Sequence, residues 1–261
     1  MRDRLSFTRF LTSGIEDCIP DGTTLWLFRE KLAQAGIIER LFDRFDQHLE
    51  ANGYIARGGQ IVDATIVQVP RQRNTREENE TVKSGRTPAA WKKKPAKNRQ
   101  KDKDARWTKK HGRSFYGYKN HINADARYKL IRRYDVSDAA VHDSRKLDGL
   151  VSKTNTSADV FADSAYRSAE TEAGLKARGF RSRIHVRATR NHPLSPRQQE
   201  ANRKKSRVRV RIEHVFGAQE TSAGGRIVRT IGIVRARAKI GLQNLAYNIR
   251  RLVTLERMAA A

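Results

Sequence analysis

The sequence predicts an α/β protein: a mixed sheet flanked by helices, preceded by a small helical subdomain and interrupted by a disordered basic insertion. Three observations carry this prediction. Runs dense in β-branched and apolar residues, such as "GQIVDATIVQV" and "DVFAD", read as buried strands. Stretches with helical apolar spacing alternate with them, an order that favours a sheet covered by helices. A lysine-rich segment without any apolar period follows the first strand, and such composition does not by itself form a core.

Residues 1–53 form the helical subdomain. A short helix is expected around Leu5 to Leu11. "TTLWLFREKLAQAG" places Leu25, Phe28 and Leu32 on one face, begins at a cap near Asp21 to Thr24 and ends at Gly36. "IIERLFDRFDQHLEANG" repeats Ile37 or Ile38, Leu41, Phe45 and Leu49 and stops at Gly53. Such a unit reads either as a DNA-binding helix-turn-helix or as a packing or oligomerisation element, since its acids balance its bases.

Residues 54–261 hold the sheet. Its first strand runs from Ile61 to Val69 with Asp63 in its middle, and the basic insertion occupies residues 70–113. Within that insertion, Trp91 to Arg113 carries eleven Lys or Arg against Asp102 and Asp104, and reads as flexible without a partner. Its Trp91 and Trp107, with Phe115, Tyr116 and Tyr118 just beyond, suit phosphate contacts combined with base stacking. A hairpin follows: Tyr118 to Asn123, a turn at Ala124 to Arg127, then Lys129 to Val136. A helix over Ser144 to Lys153 leads to a strand that stops at Asp163. Ser168 caps the next helix, Gly179 ends it, and "RSRIHVRA" supplies another strand.

"RKKSRVRVRIEHVFG" allows two readings: a helix with Val208, Ile212, Val215 and Phe216 on its core face, or a strand with Val208, Val210 and Ile212 alternating with arginines. The polar helix-forming run "SPRQQEANRKK" ahead of it favours the helix. A last amphipathic helix is built on Ile240, Leu245, Ile249 and Leu252. Three strands, helix, strand, helix, strand, helix is the ribonuclease H arrangement.

The chain carries 54 Lys plus Arg against 28 Asp plus Glu, a formal net charge of +26. That excess points to a polyanionic partner, nucleic acid above all. Cys18 is the only cysteine, which rules out an internal disulfide framework and a cysteine-based zinc site. No apolar run approaches a membrane span and the start lacks a signal-peptide core, so a reducing, cytoplasmic setting is expected.

An acid on a buried strand needs a metal, a cation or hydrogen bonds to offset its lost hydration. Asp63 and Asp163 stand on such strands, and Glu213 is the third candidate. Three oxygen donors without histidine or thiol suit Mg²⁺ or Mn²⁺, and two such ions support in-line attack on phosphorus. His142 and Asp143 also invite a catalytic reading, although a helix N-terminal cap is preferred, with Asp143 as the substitute should Asp163 lie apart. His121 and His185 read as packed strand residues. The glycines of "AGGRIVRTIG" form a plain loop or a phosphate cradle.

"DGTTLWLFREKL", "IVDATIV", "FADSAYRS" and "RVRIEHVFG", in this order and with a basic insertion after the first acid, resemble the DDE transposases of bacterial insertion sequences. The similarity is strongest to the insertion sequence five family and extends along essentially the whole chain, including "IVRARAKIGLQNLAYNIRRL". The resemblance implies that Asp63, Asp163 and Glu213 are catalytic metal ligands for Mg²⁺, with Mn²⁺ able to substitute. It implies DNA cleavage at the element's ends by water, then attack of the freed 3′-hydroxyl on target DNA, with at least a dimer to synapse two ends. Around the glutamate the family carries Tyr, two residues, Arg, three residues, Glu, six residues and Lys. Arg209 and Glu213 match, whereas Ser206 replaces the Tyr and Glu220 the Lys. DNA contacts are therefore expected from Arg209, Lys204, Lys205 and Arg226, and from Lys92, Lys93, Lys94, Lys109 and Lys110 in the insertion. Family members carry a further N-terminal segment, so a shortened, catalytically inactive DNA-binding protein is the alternative, and a ribonuclease H-like nuclease is another.

Overall fold

A computed structural model describes residues 5–12, 14, 17–110, 112–189, 192–221 and 227–260. The chain begins with helices α1 (Leu5–Phe10), α2 (Gly22–Gln34) and α3 (Ile37–Ala51), then strand β1 (Gln60–Gln68). Short helices α4 (Arg76–Lys83), α5 (Ala89–Lys92) and α6 (Pro95–Arg99) precede β2 (Arg106–Lys110), β3 (Arg113–Asp125) and β4 (Ile131–Asp138). A 3₁₀ turn (Asp143–Lys146), α7 (Leu147–Leu150), β5 (Asp159–Phe161), a second 3₁₀ turn (Ser164–Tyr166), α8 (Ala169–Ala177) and β6 (Arg181–Ser182) follow. The chain ends with α9 (Pro196–Arg209), α10 (Arg211–Thr221) and α11 (Ile233–Ala260).

The expected mixed sheet is present, with six strands among the described residues. Along β2, β3, β1, β5 and β6 each strand pairs with the next, and β4 also pairs with β3. The β1–β3, β2–β3 and β3–β4 pairs are antiparallel, whereas β1–β5 and β5–β6 are parallel. Side chains alternate across β1, so Ile61 joins a core with Ile122, Phe161, Ile212 and Phe216 while Val62 joins Leu147, Val160, Leu175 and Ile184. Helices α10 and α11 cover the first face, and α7 and α8 the second.

Two glycines permit close approach. A Cβ at Gly241 in α11 would strike the Tyr134 hydroxyl and approach Ile38 Cγ2 to 2.9 Å, so glycine lets α11 lie against β4 and α3. At Gly117, where φ is +155°, a Cβ would strike the carbonyl of Val67 on the paired strand.

Several expectations change. Helix α2 forms where predicted, with Asp21 accepting from the Thr24 amide, yet none of its residues is buried and Leu25 and Phe28 are exposed. It is tied to α11 through Glu30 and Arg235 at 2.7 Å rather than by an apolar face. Helix α3 buries Ile38, Phe42 and Leu49, not Leu41, because Phe42 turns into the sheet core and meets Tyr134 edge-on at 4.8 Å.

The insertion is not disordered. Trp91 is fully buried and its Nε1–H donates to Glu78 Oε1, while Thr75 and Glu78 form a reciprocal capping box on α4. Asp102 is also buried, accepting from the Tyr118 hydroxyl at 2.8 Å and from the amides of Asp104 and Ala105. A few buried anchors organise the segment, helped by Lys101 and Lys103, which donate inward to Asn74 and Thr87, while Lys92, Lys93, Lys94, Lys109 and Lys110 are exposed; apolar periodicity therefore does not reveal it. The helix expected at Ser144–Lys153 is shorter and starts as a 3₁₀ turn. The strand expected over 181–188 keeps only two residues, although the Arg183 and His185 amides still donate to Val160 and Ala162.

Candidate active site

Strand β1 carries Asp63 toward the face covered by α10, on the same side as Ile61. Its carboxylate is 14% exposed. Oδ1 accepts from the Ala64 amide at 2.8 Å, and Oδ2 accepts from Arg209 Nη1 at 2.8 Å. Burial pushes the Asp63 pKa up to about 6; the Ala64 amide and Arg209 pull it down, and the charges of Asp163 and Glu213 push it up again. The three acids predicted from sequence therefore share one electrostatic neighbourhood.

Asp163 follows β5 directly. Because β5 lies parallel to β1 with Phe161 beside Ile61, Asp63 in mid-strand and Asp163 just past the end of β5 come to the same level of the sheet. Asp163 caps the 3₁₀ turn Ser164–Tyr166, with Oδ1 accepting from the Ala165 amide at 2.8 Å. Glu213 stands in the first turn of α10 and is exposed, while its neighbours Ile212, Val215 and Phe216 anchor the helix in the core. The helical reading of this stretch holds, with a break: α9 ends at Arg209 and α10 starts at Arg211. That break separates the Arg209 side chain, which turns to Asp63, from Glu213.

An all-carboxylate donor set of this kind fits a hard divalent cation. Among the described residues, however, no three carboxylate, imidazole or thiol groups are gathered closely enough to hold one ion. Arg209 supplies the positive charge that Asp63 requires, and its Nε is buried without a hydrogen-bond partner.

Two further groups were not singled out by sequence reading: Tyr166, which borders the acids, and Lys119, which borders Asp143. Tyr166 is buried, its hydroxyl has no partner, and burial together with the charges of Asp63, Asp143 and Asp163 keeps that hydroxyl protonated. The local signal was available, since Tyr166 lies three residues beyond Asp163. Lys119 Nζ lies 2.8 Å from Asp143 Oδ1 and donates to the Val141 carbonyl at 2.8 Å. His142 caps its turn, its ring Nδ1 facing Ser144, as the preferred reading expected. His121 is buried against Ser137 Oγ at 2.8 Å; burial lowers its pKa to about 4, so the ring is neutral. His185 faces Ser206 Oγ at 3.3 Å, with its pKa lowered by burial and then by Arg209 and Lys205.

The residues expected to meet DNA divide into two groups. Lys92, Lys93, Lys94, Lys109, Lys110 and Lys204 are exposed. Lys205 turns inward and donates to the Ile184 carbonyl at 2.8 Å, and Arg209 is engaged with Asp63. Arg226 lies outside the described residues, as do the glycines of "AGGRIVRTIG" at 224 and 225. No helix among the described residues is long and apolar enough to cross a membrane.

Residues 56–249 match the family model described as "Transposase DDE domain". The transposase for insertion sequence element IS1106 of Neisseria meningitidis serogroup B is 30% identical to the chain over 227 residues, covering 85% of this chain and 75% of that protein. No solved structure matches.

Proposed function

The chain belongs to the DDE transposase family, and from that premise we propose that it cuts DNA at the ends of an insertion sequence and joins those ends to target DNA. The observation that carries this reading is the buried Asp63 carboxylate, whose charge is felt together with those of Asp163 and Glu213. Asp63, Asp163 and Glu213 would hold Mg²⁺ or Mn²⁺, which when bound neutralise the acids and polarise the scissile phosphodiester. The chain's own part is placement. In this reading β1 holds Asp63, the capped turn that follows β5 holds Asp163, and α10 brings Glu213 from a separately anchored helix.

Arg209 takes two positions in this reading. Without substrate it holds Asp63 Oδ2; with DNA present its guanidinium turns to a phosphate and leaves that oxygen free for the cation. Lys204 and Arg226, with Lys92, Lys93, Lys94, Lys109 and Lys110, contact the DNA backbone, while Lys205 stays turned inward to the Ile184 carbonyl, and two copies of the chain hold the two ends. Within the bacterial transposases, the Arg209 and Glu213 spacing supports placement in the insertion sequence five family. Action on chromosomal DNA in the cytoplasm follows.

The test is strand cleavage of a labelled duplex bearing the element's own end, with Mg²⁺, Mn²⁺ or chelator, for the wild type and Asp63→Asn. Cutting that requires both metal and Asp63, followed by joined products, is the expected result. Cutting without joining would make the chain a nuclease. Salt-sensitive binding with no cutting in either metal would leave a DNA-binding protein without the reaction.

A further inference from the structure

Tyr166 borders the acids with a hydroxyl that is buried and has no hydrogen-bond partner; the residue is 1% exposed. A hydroxyl in that position has given up water and gained nothing in return, which is a net cost to the fold. Groups of this kind are rare enough in native structures to call for an account.

Local structure fixes where the hydroxyl stands. Asp163 caps the 3₁₀ turn Ser164–Tyr166, and the Tyr166 amide donates back to the Asp163 carbonyl at 3.3 Å, which closes the turn. The Tyr166 ring belongs to the core that holds Val62, Val160, Leu175 and Ile184, so close packing restrains it. The turn Asp143–Lys146 packs beside it. Pairing of β1 with β5 ends at Ile61 and Phe161, and Asp63 lies two residues past that last pair, where β5 no longer covers the edge of the strand. At this end of β5 the hydroxyl feels the charge of Asp63 first, then those of Asp143 and Asp163, with Arg209 opposing them.

The three carboxylates are not equally available as acceptors. Asp163 Oδ1 is turned back onto the Ala165 amide at 2.8 Å. Asp143 Oδ1 is neutralised by Lys119 Nζ at 2.8 Å, in an ion pair whose angles do not make a hydrogen bond, and it is the rival acceptor. Asp63 depends on Arg209 through a single hydrogen bond from Nη1, with Nε left unpartnered, instead of the stronger two-pronged pair. A buried acid with a replaceable donor thus stands near a buried donor with no acceptor. Among the described residues no three ligands are gathered to hold one ion, so the acids must turn to receive a cation, and Tyr166 is placed to guide that turn at Asp63.

We propose that Tyr166 is a positioning residue: when Arg209 releases Asp63, the Tyr166 hydroxyl donates to that carboxylate and orients it toward the divalent cation. The inference rests on the metal-binding part of the proposed function. Hydrogen bonds that orient a metal-binding side chain typically change metal affinity by about 10- to 100-fold.

The experiment measures Mn²⁺ binding to the full chain by electron paramagnetic resonance, without DNA, in an Arg209→Gln background that frees Asp63. Adding Tyr166→Phe should weaken Mn²⁺ binding by about tenfold or more. Adding Tyr134→Phe instead, which removes another buried hydroxyl without a partner, should leave Mn²⁺ binding unchanged. In chelator, Tyr166→Phe alone should melt no lower than the wild type, since the hydroxyl it removes makes no bond there. Unchanged Mn²⁺ affinity in the Tyr166 variant, or an equal loss in the Tyr134 variant, would overturn the proposal. So would a lower melting temperature in chelator, which would show the hydroxyl already bonded, to Asp143, in a purely structural role. If neither the wild type nor the Arg209→Gln chain binds Mn²⁺, the metal assignment of the proposed function falls with it.

Discussion

Asp63 is held at a cost by one cation. Its folded-state pKa, near 6, lies above the ordinary value of 3.8, with burial as the main cause. The folded chain therefore keeps this proton more tightly than the unfolded chain. Its contribution to stability is fully present below about pH 4 and is lost as pH rises through about 6. Asp63→Asn, which removes the titration, should melt close to the wild type at pH 4 and higher than it at pH 7. The expected difference is at most about 2 to 3 kcal/mol, reduced by whatever Arg209 loses with its partner. Thermal melts across that range check this, and a gap that opens toward acid instead would contradict the burial argument. Asp163 and Glu213 were legible as candidates from strand-end position and motif order. That Arg209 would occupy Asp63 was not, because 146 residues separate them.

At the scale of elements, the basic insertion shows how a charge run can hide structure. Its helices α5 and α6 are four and five residues long, too short to be stable alone, and they stand because Trp91 is buried among them. Trp91→Ala should cost about 3 to 5 kcal/mol, the range for deleting a buried aromatic side chain. A urea titration should show that loss, together with earlier proteolysis within residues 70–110. Unchanged stability would mean that the segment folds independently of this ring. Helices α8 and α9 behaved as their sequences indicated, since Ser168 and Ser195 cap them through local hydrogen bonds. Helix α2 has equally clear boundaries, yet its apolar residues remain exposed, because spacing defines a face without naming what covers it.

For the whole molecule, the proposed function makes charge govern affinity for DNA. Lys92, Lys93, Lys94, Lys109 and Lys110 are exposed and lie on α5, on the turn after it and on β2, so substituting them leaves the buried anchors untouched. Changing all five to Gln should reduce the slope of log binding constant against log salt by up to about 4.5, at about 0.9 per phosphate contact. Fluorescence anisotropy between low and physiological salt measures it. An unchanged slope would assign these lysines to solvent and move the DNA path elsewhere.

The sequence by itself determined the α/β class, the order of strands and helices outside the insertion, the basic character and the three candidate acids. Each of these depends on local spacing, on composition or on a short motif. Only the tertiary structure decided that the insertion is ordered, that Arg209 closes on Asp63, that Lys205 turns inward and that Trp91 is buried while Trp107 is exposed. Those outcomes depend on which groups lose water when distant segments meet, and burial of that kind leaves no periodicity in the chain to read.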